Sequence, residues 1–160
     1  MATELNVLFL CTWNSARSQM AEAVLKQRGR GRFVAESAGT LPAAQVNPIA
    51  LGVLREAGIR WQGHPPRGLD GLDPEAWDIV ITVCDQARQA CPLFPGRAVI
   101  AHLGTPDPAA VQGDSQEVQR AFREAFRLIS QRVELLLAEP LDGLDRKALQ
   151  NRLRRIGQTG

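Results

Sequence analysis

The sequence has no apolar run approaching the roughly 20 residues that a membrane-spanning helix needs. Its N-terminal apolar run, residues 5–10, is short and follows Glu4 instead of a basic segment, so we expect no signal peptide. Neither sign of charge dominates, because 19 Lys and Arg face 17 Asp and Glu for a net charge of +2. We therefore expect neither a membrane nor a nucleic acid as partner.

Cysteine is scarce, and its three copies form no disulfide framework because the number is odd. Neither a Cys-x-x-Cys pair nor a His pair at metal-ligand spacing occurs, so we expect no bound metal. The chain also lacks a nucleotide-binding P-loop and a full dinucleotide-binding pattern, and we expect no cofactor. Such cysteine usage indicates the reducing cytoplasm, where cysteines tend to be catalytic or metal-binding rather than structural.

What the sequence does contain is an alternation of strand-like and helix-like segments, on a scale that suits one domain. Apolar strand-like runs occupy residues 5–10, 33–37, 79–83 and 98–103. Helical patterns cover residues 19–28, the stretch after Asn47-Pro48, and a long segment from Asp114 to Pro140. The alternation predicts an α/β fold, a four-stranded parallel sheet with helices on both faces. Ligands of such sheets bind beyond the carboxyl ends of the strands.

Residues 141–160 form a basic extension beyond a predicted domain of residues 1–140. Apolar residues recur there at loosely helical spacing among five cationic ones, Arg146, Lys147, Arg152, Arg154 and Arg155. We expect a short helix packed on the domain, because a solvated basic face is common and does not by itself indicate nucleic-acid binding. The whole chain is expected to be a monomer.

The most informative segment follows the first apolar run and opens into a helix near residues 15–18; it reads Cys11-Thr12-Trp13-Asn14-Ser15-Ala16-Arg17-Ser18. Five residues separate Cys11 from Arg17, the spacing of a loop that wraps one tetrahedral oxyanion. Backbone N–H groups and the helix dipole gather negative charge there and favour the Cys11 thiolate. Arg17 can hold two oxyanion oxygens with its planar guanidinium. Taken alone, Cys11 would be interpreted as a small buried apolar residue, and Arg17 as a solvated residue of the first helical turn. Together the two residues favour an oxyanion site.

A second cysteine pair lies beyond the third strand-like run. Cys84 follows residues 79–83 directly, so we expect it at the same sheet edge as Cys11. A helix from Cys84 to Cys91 would separate the two by about 10 Å, whereas a disulfide needs Cα atoms within about 7 Å. A bond between them would therefore require this segment to unwind, and we expect its conformation to depend on oxidation state. Two ordinary buried cysteines, or a metal site shared with Cys11 and a histidine, remain the alternatives.

Asp107 lies between Pro106 and Pro108, just after the last strand-like run. The two prolines restrict the backbone and favour an extended conformation at Asp107. A carboxyl group held there can donate a proton to a leaving oxygen. The alternative is a plain turn, in which Asp and Pro are common.

In combination these motifs resemble thioredoxin-coupled arsenate reductases, which are built on the low-molecular-weight tyrosine phosphatase fold. The resemblance covers residues 5–138 and includes three further motifs, Gln19-Met20-Ala21-Glu22, Ser37-Ala38-Gly39 and Val46-Asn47-Pro48. The loop from Cys11 to Arg17, with Asp107, is typical of the superfamily. Cys84 and Cys91 point to the reductase branch.

The resemblance implies a mechanism for arsenate, which has the shape and charge of phosphate. Arsenate would bind the loop formed by Thr12, Trp13, Asn14, Ser15, Ala16 and Arg17. Cys11 would attack arsenic while Asp107 protonates the leaving oxygen, and Ser18 would hydrogen-bond the Cys11 thiolate. Cys84 would then attack Cys11 to release arsenite, Cys91 would attack Cys84, and thioredoxin would reduce the resulting disulfide.

Three positions depart from the pattern that the resemblance implies. Ala16 stands where many relatives carry another cysteine, and Trp13 is bulkier than the residue often found there. Arg67 stands where some relatives have an acid that helps to bind a potassium ion, close to the positions of Asn14, Glu22 and Ser37. Arg67 would either supply that positive charge itself or be a solvated loop residue. His64 and His102 are expected to be structural.

Three functions follow as hypotheses. The first is arsenate reduction, which the extra cysteines favour because phosphorus would not accept their electrons. The second is hydrolysis of phosphomonoesters through a Cys11 phosphoenzyme, for which Cys84 and Cys91 are dispensable. The third is a metalloid or redox sensor that uses the same thiols without repeated turnover.

Overall fold

The computed structural model describes residues 4–61, 63–84, 98–141 and 143–158. Four strands form one sheet: β1 (Leu5–Cys11), β2 (Phe33–Gly39), β3 (Ile79–Thr82) and β4 (Val99–His102). All three neighbouring pairs are parallel, in the order β2-β1-β3-β4. The α-helices of the described residues are α1 (Arg17–Arg28), α2 (Pro48–Glu56), α3 (Ser115–Ala138) and α4 (Arg146–Gln158). The predicted α/β fold with a four-stranded parallel sheet is confirmed.

The central strands are apolar along their length because they are covered on both faces. Every residue from Val7 to Cys11 in β1 is buried, as is every residue of β3. Such continuous burial is typical of parallel strands between two layers of helices. The observed strands differ from the predicted ones by one or two residues at their ends: β1 and β2 are longer because they pair as far as Cys11 and Gly39.

The order of the strands places a crevice at one edge of the sheet. From β1 the chain continues to β2 on one side, and it later returns to β3 on the other side of β1. The carboxyl ends of β1 and β3 are thus neighbours at a point where the strand order reverses, which is where open α/β sheets bind ligands. Cys11 is the last residue of β1, and Cys84 follows β3 by two residues.

Helix α1 begins at Arg17 and buries nine consecutive residues, 17–25. The apolar residues of this helical pattern are Met20, Ala21, Val24 and Leu25. All four are buried, but so are four polar residues of the same helix, Arg17, Ser18, Gln19 and Glu22. This helix therefore has no solvent-facing polar side at its start, and its polar groups bond inside the protein.

Capping residues fix the starts of α2 and α3. The Asn47 side chain accepts a hydrogen bond from Ile49 N at 2.8 Å, with Pro48 in the first turn. The Asp114 side chain accepts one from Glu117 N at 2.9 Å. These contacts satisfy N–H groups that a helix start leaves without partners. Helix α3 buries five residues at helical spacing, Phe122, Ala125, Ile129, Val133 and Leu136.

Helix α4 packs against β4, and three of its side chains are buried: Leu149, Leu153 and Ile156. They join the same hydrophobic cluster as the sheet residues. The basic residues Lys147, Arg154 and Arg155 are exposed.

Within the described residues, no helix combines the length and the apolar character that crossing a membrane requires.

Candidate active site

The loop between β1 and α1 carries Cys11 at its start and Arg17 at its end. Cys11 is buried and borders a cavity of about 100 Å³, lined also by Trp13, Ser15, Arg17 and Asp107. That volume suits a small anion. Of the loop residues, Thr12 and Asn14 are buried and Ser15 donates a hydrogen bond to Gln45 O at 3.3 Å.

The Cys11 sulfur faces two hydrogen-bonding groups. Its distance to Ser18 Oγ is 2.8 Å, and the backbone N–H of Asn14 donates to it over 3.2 Å. The Asn14 side-chain amide donates to Ser18 Oγ at 2.8 Å, so the hydroxyl can accept from Asn14 and donate its own proton to the sulfur. Two hydrogen-bonding groups thus meet at the sulfur, and hydrogen bonds of this kind are stronger to a thiolate, the nucleophilic form, than to a thiol.

Asn14 holds the loop in a conformation that few residues adopt. Its backbone has φ = 51°, in the left-handed region that Asn tolerates better than most residues. Gly39 lets the loop approach β2, since a Cβ there would lie 2.6 Å from Thr12 O and 2.9 Å from Asn14 N. The Asn14 amide also donates to Ser37 Oγ at 2.9 Å, which joins the loop to β2 a second time.

A chain of buried polar groups continues behind the loop. Ser37 Oγ donates to Glu22 Oε1 at 2.7 Å, and Lys26 Nζ donates to Glu22 Oε2 at 3.0 Å. Gln19 Nε2 donates to Asn14 O at 3.2 Å and to His64 O at 3.0 Å. The sequence analysis gave Gln19 no individual role. One feature of the sequence could have indicated its supporting role. Polar residues are spread around the first turns of α1 and do not lie on one face of the helix.

Arg67 is bound to this chain of polar groups and is not a solvated loop residue. Its backbone N–H donates to Asn14 Oδ1 at 3.1 Å, and its Nε donates to Ser37 O at 3.1 Å. Its Nη2 pairs with Glu36 Oε2 at 3.0 Å. The guanidinium thus supplies positive charge beside the loop.

The residues around Arg67 do not fit the potassium ion that the family resemblance suggests. Glu22, Glu36 and His64 place three potential ligand atoms within 4.8 Å of one another. However, Lys26 already pairs with Glu22, and Arg67 already pairs with Glu36. His64 Nε2 lies 3.2 Å from Glu22 Oε1 without the alignment of a hydrogen bond. An added cation would compete with these cationic side chains, so this arrangement does not suit a potassium ion.

Asp107 lies at the mouth of the cavity next to Arg17. Arg17 Nη1 donates to Thr105 O at 3.0 Å, and its Nη2 lies 3.7 Å from Asp107 Oδ2. The Asp107 backbone is extended, with φ = −75° and ψ = 110°, and its Oδ1 accepts from Ala109 N at 2.9 Å. The carboxyl group thus has one oxygen fixed by a short 3₁₀ turn and the other near Arg17. About a third of the side chain is exposed (33%), so protons can exchange with solvent.

Cys84 is buried and lies against the same loop. Its sulfur is 3.3 Å from Thr12 Oγ1, and both residues border a second cavity of about 710 Å³. Leu10 pairs with Thr82 across β1 and β3, so two residues further on Thr12 lies opposite Cys84. If the ideal strand spacing of about 4.8 Å and rise of about 3.3 Å per residue continued past this last pair, the Cα atoms of Cys11 and Cys84 would be about 6 Å apart. That value is within the range of disulfide-bonded pairs.

Trp13 borders both the Cys11 cavity and the Cys84 cavity, as do Arg17 and Asp107. Its side chain is about half exposed. Within the described residues, no disulfide bond joins Cys11 and Cys84. Cys91, and the predicted change of conformation between residues 85 and 91, lie outside the described residues.

Comparison with known proteins gives two kinds of match. The family model described as low molecular weight phosphotyrosine protein phosphatase matches residues 6–151. An arsenate reductase of Bacillus licheniformis is 36% identical over 131 residues, which is 80% of this chain and 91% of that protein. A glutaredoxin arsenate reductase of Synechocystis sp. is 32% identical over 133 residues, covering 83% of this chain and 96% of that protein.

The fold has matches among solved structures as well. The crystal structure of an arsenate reductase from Archaeoglobus fulgidus superposes with a TM-score of 0.69 at 29% sequence identity. The match covers 83% of this chain and 99% of that chain.

Proposed function

The chain belongs to the low molecular weight phosphotyrosine protein phosphatase family, and we propose that it is an arsenate reductase. Cys11 attacks the oxyanion, and the sulfurs of Cys11, Cys84 and Cys91 then pass an oxidising equivalent from arsenic to an external dithiol. One observation carries the choice of a reductase. A second cysteine sulfur borders the oxyanion loop, with Cys84 Sγ 3.3 Å from Thr12 Oγ1.

The first chemical step needs a nucleophile, an anion-binding loop and an acid. Arsenate enters the cavity above Cys11, where the loop N–H groups and Arg17 offset its negative charge. The Cys11 thiolate forms a bond to arsenic, and one oxygen leaves as water after it accepts a proton from Asp107. Arsenic remains in the +5 state in this step.

The second step transfers two electrons. The Cys84 thiolate attacks the Cys11 sulfur, a disulfide forms between them, and the electron pair of the broken S–As bond leaves with arsenic as arsenite. Cys91 then attacks the Cys84 sulfur, which frees the Cys11 thiolate and leaves a Cys84–Cys91 disulfide. An external dithiol reduces this disulfide by thiol–disulfide exchange.

Thioredoxin is the dithiol that we propose as electron donor. One relative named above is a glutaredoxin arsenate reductase, so a glutaredoxin is the second candidate. Turnover with each donor system, supplied separately at equal concentration, tells them apart.

The second candidate function is hydrolysis of phosphomonoesters. It is favoured by the pairing of Arg17 with Asp107, at 3.7 Å, beside the Cys11 cavity. This arrangement contains what a phosphoenzyme mechanism needs, namely a thiolate, a guanidinium and a proton donor. Weak phosphatase activity is compatible with the first proposal, because both reactions use the same groups.

The decisive experiment measures arsenate-dependent NADPH oxidation with thioredoxin and thioredoxin reductase. The unmodified protein should turn over repeatedly, whereas Cys91→Ser should release about one arsenite per enzyme and then stop. Cys84→Ser should release none. Hydrolysis of p-nitrophenyl phosphate by the same variants serves as the matched control, since it should require Cys11 and not Cys84 or Cys91.

Two outcomes would reject the proposal. Rapid phosphatase turnover without any arsenite would assign the protein to the hydrolases. Release of one arsenite per protein by the unmodified chain, with each tested donor present, would indicate a sensor.

A further inference from the structure

The loop that carries Asp107 has few backbone donors of its own. Thr105 N donates to Val83 O at 3.0 Å, which ties the loop to the segment after β3. Pro106 and Pro108 on either side of Asp107 have no N–H group to donate. The loop must therefore be held through its carbonyl oxygens, because buried carbonyls need donors.

Two guanidinium groups bind successive carbonyls of this loop. Arg17, at the start of α1, donates to Thr105 O at 3.0 Å. Arg132, on α3, donates from Nη1 to Gly104 O. The two arginines come from different helices, so the loop is attached to both α1 and α3. Arg17 is already assigned to the oxyanion, whereas the sequence analysis gave Arg132 no role.

Arg132 is placed where its charge is costly. Burial lowers the pKa of its guanidinium from the ordinary value. Among the residues that the structure describes, no carboxylate forms an ion pair with it. Arg132 borders a cavity of only about 10 Å³, whose mostly apolar lining includes Phe9, Val83 and Ile129. That space is about the minimum for one water molecule, and besides Arg132 its described lining offers only Thr105 as a polar residue, so water is a poor substitute for the guanidinium.

We propose that Arg132 is a positioning residue for Asp107. By holding Gly104 O it fixes the start of a short, proline-stiffened loop, and Asp107 lies three residues further on. Arg17 holds the middle of the same loop and also faces the carboxyl group at 3.7 Å. Contacts from α1 and α3 thereby fix the distance between Asp107, the proton donor, and Arg17, which binds the oxyanion. This inference rests on the proposed function, because it needs Asp107 to protonate a leaving oxygen.

The test is a double-mutant cycle between Arg132→Gln and Asp107→Asn. We expect Arg132→Gln to lower kcat for arsenate about tenfold or more, because an acid misplaced by about 1 Å can cost about a hundredfold. KM should change less than about twofold by the same argument, since the acid acts only in the reaction step. In the Asp107→Asn background the Arg132→Gln substitution should have no further effect. Arg132→Lys, which keeps a donor, should restore part of the rate.

The matched control is Arg127→Gln on the same helix. Arg127 pairs with Glu124 on the exposed face of α3, so its loss should leave kcat unchanged. Thermal unfolding of every variant shows that the compared proteins are folded. Independent, multiplicative effects of Arg132→Gln and Asp107→Asn would overturn the proposal, as would equal rates for Arg132→Gln and Arg127→Gln.

The cycle also separates this inference from the proposed function. If the unmodified protein does not reduce arsenate, the reductase proposal fails. The double-mutant cycle is then measured with p-nitrophenyl phosphate hydrolysis as the reaction. Non-additivity there would still support the positioning role. A lack of effect of Asp107→Asn on both substrates would overturn the positioning role itself.

Discussion

Thr12 Oγ1 lies 3.3 Å from the sulfur of Cys84, so the oxyanion loop touches the second cysteine directly. Thr12 follows Cys11 in the chain, and Cys84 follows β3 at the neighbouring position of the sheet. A hydroxyl group at this distance can stabilise and orient a thiolate. The contact therefore connects the loop proposed to bind the oxyanion with the sulfur that is proposed to attack next.

We expect Thr12→Val to slow the attack of Cys84 on Cys11. The substitution keeps the β-branched shape and removes the hydroxyl, and a lost hydrogen bond to a charged group, worth about 1.5–3 kcal/mol, slows the step about tenfold or more. Rapid-quench measurement of arsenite release in a single turnover reports this step. Thr12→Ser retains a hydroxyl and should stay close to the unmodified rate. Equal release rates for the Val and Ser variants would contradict the prediction.

Ser18→Ala should reduce the reactivity of Cys11 toward iodoacetamide at neutral pH. The variant loses the hydroxyl that lies 2.8 Å from the sulfur, and the thiolate loses a charge-assisted hydrogen bond. Such a bond is worth about 1.5–3 kcal/mol, so alkylation should slow about ten- to a hundredfold. Measurements in a Cys84→Ser, Cys91→Ser background report Cys11 alone. Ser130→Ala is the control, because the Ser130 hydroxyl has no hydrogen-bond partner among the described residues. An unchanged alkylation rate in Ser18→Ala would remove Ser18 from the mechanism.

The convergence of Cys11, Arg17 and Asp107 is predictable from sequence because of how parallel sheets are built. Each residue follows a strand or opens the next helix, and the carboxyl ends of parallel strands share one edge. The same reasoning predicts that Cys84 lies near Cys11, since both follow central strands. Proline on each side of Asp107 predicts its extended backbone, which the structure shows.

The contacts of Gln19, Arg67 and Arg132 are not predictable in this way. Each depends on the approach of segments far apart in the chain, such as Arg67 N to Asn14 Oδ1 or Arg132 to Gly104 O. Helical periodicity shows which side of α3 is apolar. It does not show that the side chain of Arg132 reaches the carbonyl of Gly104. A long side chain can cover apolar surface while its charged end finds a partner, and sequence spacing does not encode that partner.

Substitutions at Asn14 should separate backbone strain from lost hydrogen bonds. Both Asn14→Ala and Asn14→Gly remove the amide that donates to Ser18 and Ser37. In the alanine variant the left-handed backbone conformation also destabilises the folded state, by about 1–2 kcal/mol for an L-residue with a Cβ. The glycine variant adopts this conformation without that cost. Urea unfolding should therefore rank Asn14→Ala below Asn14→Gly, with both below the unmodified protein. The reverse order of the two variants would show that φ = 51° is not what Asn14 stabilises.

Potassium should have no specific effect on this protein. Arg67 and Lys26 already pair with Glu36 and Glu22, so a monovalent cation gains little by binding between them. Exchange of NaCl for KCl at constant ionic strength should leave both arsenate turnover and Tm unchanged. Arg67→Ala should lower turnover and make it depend on the cation, whereas Arg60→Ala at an exposed position should not. A potassium-dependent rate in the unmodified protein would contradict this.

Leu153→Ala should destabilise the whole protein and not only its C-terminal helix. Leu153 is fully buried between α4 and the sheet and belongs to the common hydrophobic cluster. Truncation of a buried leucine costs about 2–5 kcal/mol because it removes apolar contacts and leaves a cavity. Urea unfolding followed both by far-UV circular dichroism and by tryptophan fluorescence should show one transition, shifted to lower urea. Arg154→Ala, at the next and exposed position, should stay within about 0.5 kcal/mol of the unmodified protein. A separate early transition in Leu153→Ala would show instead that α4 unfolds independently of the sheet.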